Sequence, residues 1–132
     1  MPNTNQAILA RVYAAETGRT IEEETLRSDQ AFDMVVEAEA GNNVFNAGGA
    51  YKLQMVLTDY TQNMTTANAQ TINGSFGDAN WPAQELQHRF VVPAQGAARN
   101  DHAYRAFAVL QVGNIDPIVD FEEGEVFVIT PQ

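Results

Sequence analysis

The sequence lacks cysteine altogether and contains a single lysine, Lys52, among its 132 residues. The absence of cysteine excludes disulfides, thiolate metal ligands and cysteine nucleophiles, so packing alone must stabilise the fold. Hydrophobic residues make up 45% of the chain, which suffices for an ordinary core in a domain of this length. We therefore expect a single domain over residues 1–132, with residues 1–6 disordered.

Long apolar runs are also missing, since no stretch approaches the ~20 residues that cross a bilayer. The first six residues have neither the basic nor the apolar region of a secretory signal. Seven basic residues stand against 17 acidic ones, which gives a net charge of −10. Such an acidic surface repels phosphate backbones and anionic lipids. We expect no nucleic-acid or membrane partner, and a location in the cytoplasm or within an assembled particle.

Residue types that carry catalysis are scarce. Only two serines occur, Ser28 and Ser75, and neither lies in a Gly-x-Ser-x-Gly elbow. His88 falls within a predicted strand, where a packed histidine is the commoner outcome. His102 follows Asp101, but neighbouring side chains on a strand point to opposite faces, which disfavours a catalytic pair. The sequence predicts a protein that is not an enzyme and has no cofactor, with a small β-barrel enzyme or ligand carrier using His88 or His102 as an alternative.

Short segments of alternating hydrophobicity, separated by turn residues, dominate the sequence after about residue 30. Period-two alternation is typical of strands, and about ten residues separate successive segments. The pattern predicts an all-β fold, an antiparallel β-sandwich of seven or eight strands, with a closed barrel or jelly roll as the alternative. The clearest strands are residues 32–40, 51–60, 86–92, 103–112 and 126–130.

Three further segments are ambiguous in the sequence. Residues 7–15 fit either a strand or a helix, and the β-rich context favours a strand. Residues 20–27 fit a short capped helical turn or a solvated acidic linker. Residues 61–71 are nearly all polar and uncharged, which predicts a loop or an irregular edge strand. The dipeptide Asn73-Gly74 that follows carries a turn signal.

The segment from Asp101 to Ala106 opens a long strand that is followed by a turn and a final strand. This pattern resembles the last hairpin of immunoglobulin-like sandwiches. A tyrosine near the start of the penultimate strand forms a tyrosine corner in that family, and Tyr104 is the matching position. The family's cysteine pair and core tryptophan have no counterparts at the matching places. The resemblance implies an immunoglobulin-like topology and no specific function.

Trp81 is the only tryptophan and lies in a turn-rich segment, residues 77–82. An exposed aromatic ring beside Asn80 could stack on a sugar or anchor a protein interface, whereas a buried one would close an end of the core. A carbohydrate site would need a second exposed aromatic side chain, and Phe76 and Tyr60 are the candidates. The candidate binding residues are therefore Trp81, Asn80, Phe76 and Tyr60.

Four carboxylates near the end of the chain are weak candidates for a calcium site: Asp116, Asp120, Glu122 and Glu123. They lack the spacing of a calcium-binding loop. A solvated acidic edge that discourages pairing between strands is the favoured interpretation, and we expect no bound metal.

These observations together predict a non-enzymatic protein-interaction or structural module, a small subunit or adaptor of a larger assembly. The uncharged polar segments and open strand edges favour a protein partner or self-association. A carbohydrate-binding module that uses Trp81 is the second hypothesis.

Overall fold

The computed structural model describes residues 5–113 and 118–131, and these residues form an all-β sandwich, as the sequence predicts. The described residues contain a single 3-10 turn, at Ala97–Arg99, and form nine strands and one short helix. They are β1 (Ala7–Glu16), β2 (Thr25–Arg27), β3 (Phe32–Ala40), α1 (Asn42–Asn46), β4 (Ala50–Asp59), β5 (Thr65–Ser75), β6 (Glu85–Val92), β7 (Ala103–Val112), β8 (Ile118–Glu123) and β9 (Phe127–Thr130).

Two separate sheets face each other and do not close into a barrel over the described residues. The smaller sheet has the order β1-β3-β6 and is antiparallel. The larger sheet has the order β2-β9-β7-β4-β5, with β8 also paired to β7, and only the β2–β9 pairing is parallel. This division resembles the immunoglobulin-like order, in which strands A, B and E share one sheet and C, F and G the other.

The core lies between the two sheets and is built by alternate residues of each strand. Tyr104 is fully buried, and its hydroxyl donates to the side-chain oxygen of Gln95 at 2.8 Å. A tyrosine corner would bond the backbone instead, so this contact differs from the family pattern. The largest fully buried side chains include Phe32, Met34, Phe90, Leu53, Met55, Leu57, Tyr104, Leu110 and Ile129.

The outer face of the smaller sheet is buried under charged side chains. Tyr13, Ala15 and Val35 form a second apolar cluster there, with exposed fractions of 2% or less. The guanidinium of Arg11 lies 4.1 Å from the centre of the Tyr13 ring, and Arg89 pairs with Asp33 at 2.9 Å. Because both faces of β3 are covered, its residues from 32 to 36 are all buried.

Strands form within all three ambiguous segments, although residues 20–24 and 61–64 lie outside them. Residues 7–16 form β1, which confirms the strand prediction, while residues 25–27 form β2 and not a helical turn. Residues 65–75 form an edge strand, one of the two predicted outcomes, and the Asn73-Gly74 turn signal lies inside it. A Cβ on Gly74 would lie 2.0 Å from a carboxylate oxygen of Asp78, so this glycine permits a close approach and does not make a turn.

The sequence did not predict α1, which has five residues and no side-chain cap. Nothing helical in residues 5–113 or 118–131 has the length and hydrophobicity of a membrane-spanning segment. Most of the predicted disordered terminus, residues 1–4, lies outside the described residues.

Candidate functional site

Trp81 lies in the core, so of the two alternatives that the sequence left open, a ring that closes one end of the sandwich describes its place. Its side chain is 0% exposed and packs edge-on against Tyr51 and Phe76, with ring centres 5.1 and 4.9 Å away. Phe76 is 6% exposed. Neither ring offers a free face to a sugar.

Asp78 explains why this turn folds inward. Its Oδ1 accepts hydrogen bonds from the Tyr51 hydroxyl at 2.8 Å and from the backbone N–H of Asn80 and Trp81 at 3.0 Å each. Its Oδ2 accepts from the N–H of Ser75 at 3.3 Å. Burial alone would raise the pKa of Asp78, but these hydrogen bonds outweigh it and hold the pKa below its usual value. Burial and the nearby Asp78 carboxylate raise the pKa of Tyr51.

The other two candidate binding residues do not share a surface with each other. Asn80 is exposed beside the buried Trp81, at the end of the sandwich where β4 begins. Tyr60 is 37% exposed and follows the last residue of β4. Ten residues of strand separate the two ends by roughly 30 Å. The structure therefore does not bring these two candidates together on one surface.

A buried charge cluster at the Tyr60 end was missed by the sequence analysis. The Asp59 side chain is 0% exposed; it accepts a hydrogen bond from Arg99, contacts Nδ1 of His102 at 2.7 Å, and accepts from the N–H of Gln62 at 3.1 Å. Burial would raise the pKa of Asp59, but the bonds from His102, Arg99 and Gln62 together lower it. His102 is thus held by Asp59 and not by its neighbour Asp101.

No local spacing in the sequence could have revealed this cluster. Asp59 and His102 are 43 residues apart, and they meet because antiparallel pairing of β4 with β7 places Asp59 opposite Tyr104.

The other histidine, His88, points into the sandwich and packs against the Phe90 ring, with centres 4.6 Å apart. Burial lowers the pKa of His88, so the neutral ring is favoured.

Two of the four candidate calcium ligands, Asp120 and Glu123, make contacts within the fold. Asp120 accepts a hydrogen bond from the N–H of Leu9 at 2.7 Å, which joins β8 to β1 across the two sheets. Glu123 lies 3.7 Å from Arg105. Asp116 lies outside the described residues. Among the described residues, no three His, Asp or Glu side chains are grouped so that they could hold a metal ion.

An apolar patch lies on the outer face of the larger sheet. Register places Val56 of β4 opposite Phe107 of β7, and Val109 of β7 opposite Phe121 of β8. The rings of Phe107 and Phe121 are 5.4 Å apart, and Phe121 remains 52% exposed. We call this surface the outer apolar patch; it consists of Val56, Phe107, Val109, Val119 and Phe121.

Sequence reasoning could not find the outer apolar patch because its members come from three strands. Among the described residues of β4, β7 and β8, the charged residues on the same face are Lys52, Arg105 and Glu123. Each apolar member, taken alone, is an ordinary outward-facing residue. Only the strand order brings them together.

The fold is that of an all-β sandwich domain, and its strand order resembles that of immunoglobulin-like domains. Comparison with protein-family models finds no match, and comparison with curated proteins finds none either.

Solved structures do contain the same fold. The chain is similar to part of a glycosyl hydrolase family 2 member from Bacteroides cellulosilyticus, with a TM-score of 0.52 and 13% identity; the match covers 93% of this chain and 15% of that one. It is also similar to part of red sea bream transglutaminase, with a TM-score of 0.51 and 15% identity, over 93% of this chain and 17% of that one. The chain thus spans less than a fifth of either protein, and the likeness shows the fold alone.

Proposed function

We propose that this protein is a non-enzymatic interaction module, a small subunit or adaptor that docks onto another protein through the outer apolar patch. The observation that carries the proposal is the exposure of this patch. The outer face of an antiparallel sheet ordinarily presents polar residues to water. Here Val119 and Phe121 are 55% and 52% exposed beside three further apolar side chains of the same face. A contiguous exposed apolar surface of this kind is typical of a protein interface.

The charges around the patch define the kind of partner that fits it. The chain carries −10 overall, yet the charged residues that β4, β7 and β8 place on the face of the patch, among the described residues, are two cations, Lys52 and Arg105, and one anion, Glu123. A protein surface with an apolar centre and carboxylates on its rim complements this arrangement. The negative remainder of the molecule disfavours nucleic acid and anionic membrane as partners.

Two further observations support a module without catalysis. His102 is engaged in the buried contact with Asp59, and His88 packs into the sandwich. The solved structures that contain this fold are several times longer than this chain, which is compatible with a module. We propose no cofactor for it.

The test compares two double variants as bait in affinity capture from the lysate of the encoding organism. V119S/F121S removes the two most exposed side chains of the outer apolar patch. V91S/V126S is the matched control, because Val91 and Val126 are 57% and 46% exposed and lie outside the patch.

We expect a partner that the wild-type chain captures in stoichiometric amounts to be lost with V119S/F121S and kept with V91S/V126S. Thermal melts of both variants establish that they are folded. Equal capture by both variants, or the absence of any stoichiometric partner of the wild-type chain, would overturn the proposal.

A further inference from the structure

β5 is an unusually unprotected sheet edge. It ends the order of the larger sheet, pairing with β4, and its eleven residues contain neither a charged residue nor a proline. Soluble proteins ordinarily protect such edges with lysine, proline, a bulge or a covering segment. The one register shift of β5 in its pairing with β4 lies between Thr66 and Asn68, so residues 68–75 are paired without a bulge. The edges of the smaller sheet have such protection: β6 carries Glu85 and Arg89, and at β1 the Asp120 carboxylate accepts from the N–H of Leu9.

The register identifies which backbone groups of β5 face away from β4. The N–H of Phe76 donates to the carbonyl of Gly49 at 3.0 Å, which marks a hydrogen-bonded pair at the end of the β4–β5 ladder. Hydrogen-bonded pairs alternate along an antiparallel ladder, so residues 68, 70, 72 and 74 bond to β4. Ala69, Thr71 and Asn73 therefore point their N–H and C=O groups toward the open side of the sheet.

We propose that a second copy of this chain pairs with β5, antiparallel to it, about a two-fold axis at Thr71. This register opposes Thr71 with itself and Ala69 with Asn73, so the outward N–H and C=O groups of each copy meet those of the other. Threonine opposite threonine is a favourable cross-strand pair. The proposed dimer is a claim separate from the docking function of the outer apolar patch.

Charge favours a second copy as the occupant of this edge. Each copy carries −10, so two copies can approach closely only where neither presents carboxylates. β5 has none, and the side chain of β4 opposite Asn73 is the cationic Lys52. A strand without charges also offers nothing by which a charged foreign strand would be selected. The remaining repulsion between the two acidic bodies is screened by salt, so the dimer is expected to tighten as ionic strength rises.

The two-fold symmetry of the proposed dimer also determines where its two outer apolar patches lie. A two-fold axis perpendicular to the sheet keeps the outer faces of both copies on the same side. The two β7 strands are then five strand spacings apart, about 24 Å measured across the strands. If the outer apolar patch docks as proposed above, the dimer presents two copies of it on one continuous sheet.

Sedimentation velocity over a concentration series, at low and high salt, tests the association. We expect a species of twice 14.5 kDa for the wild-type chain. Thr71→Pro removes an N–H that does not bond to β4, and Thr71→Lys opposes two like charges at the axis. Both variants should remain monomeric with unchanged circular dichroism, whereas Thr20→Lys, the same charge change on an exposed loop residue, should dimerise like the wild type.

A thiol then locates the interface. Because the chain lacks cysteine, Thr71→Cys introduces the only thiol, and Cα atoms of a hydrogen-bonded pair lie about 5.5 Å apart, within disulfide reach. We expect Thr71→Cys to oxidise to a covalent dimer and Thr20→Cys to remain largely uncrosslinked. A wild-type chain that stays monomeric at every concentration, or Thr71 variants that dimerise like the wild type, would overturn the proposal. The variant V119S/F121S distinguishes the two proposals, because it should lose the captured partner and still dimerise.

Discussion

Two buried or partly buried aspartates lie at opposite ends of the sandwich, and each carboxylate forms several hydrogen bonds that join separate segments of the chain. Asp59 contacts Arg99, His102 and the Gln62 N–H at one end. Asp78 accepts from Tyr51 and three backbone N–H groups at the other. A carboxylate is suited to this role because its two oxygens accept several hydrogen bonds at once.

The first prediction concerns the Asp59 cluster. Asp59→Asn removes the charge that pairs with Arg99 and His102 while preserving the shape of the side chain. We expect it to lower the free energy of unfolding by about 2 kcal/mol, because a partly buried guanidinium loses its partner. Urea titration at pH 7 measures the change.

Asp101→Asn is the matched control for that variant. Asp101 adopts a positive φ of 67°, a conformation that asparagine tolerates well, and it is exposed beside His102. We expect a change within about 0.5 kcal/mol. If both variants cost the same, the buried cluster does not stabilise the fold as described.

At the scale of elements, the alternation of apolar and polar residues predicts where the strands lie, but it does not predict how they pair. The strands β3, β4, β6 and β7 follow from alternation alone, and their predicted bounds agree with the structure to within one residue at each end. Alternation does not report which strand lies beside which, so the outer apolar patch and the Asp59 cluster were beyond its reach. The Asn73-Gly74 signal misled because a glycine can serve close packing as well as a turn.

The second prediction concerns the junction where the β8–β9 connection passes β1. A Cβ at Gly124 would lie 2.6 Å from the backbone carbonyl oxygen of Val12, so either the strands separate or the connection shifts. We expect Gly124→Ala to cost about 1–3 kcal/mol, as overpacking usually does. Gly49→Ala is the control, because nothing lies within 4 Å of its added Cβ. Comparable thermal melts for the two variants would contradict the close approach.

For the whole molecule, Asp59, Asp78 and His88 have lowered pKa values, which make stability depend on pH on the acidic side of neutrality. The pKa values of Asp59 and Asp78 lie below 3.8 in the folded state, and that of His88 lies below 6.5. Each group binds protons more weakly when folded than when unfolded. Its stabilising contribution is therefore complete above the unfolded pKa and is lost as pH falls through the folded pKa.

The third prediction concerns the loss of stability as pH falls. The free energy of unfolding should begin to fall below about pH 6.5, because protonation of His88 favours the unfolded state. It should fall further below about pH 4, because the carboxylates of Asp59 and Asp78 become protonated. His88→Gln should abolish the first decline and leave the second. Urea titrations at several pH values between 8 and 3 measure both, and parallel curves for the two proteins would refute the assignment to His88.

The sequence by itself determined the all-β class, the positions of the main strands, the absence of disulfides and the acidic character, because composition and period-two alternation are local properties. Only the tertiary structure decided that Trp81 is buried, that Asp59 holds His102, that five apolar side chains share one outer face and that β5 forms an open edge. Each of these depends on which strands become neighbours. Strand order is a property of the packed chain, and no local pattern encodes it.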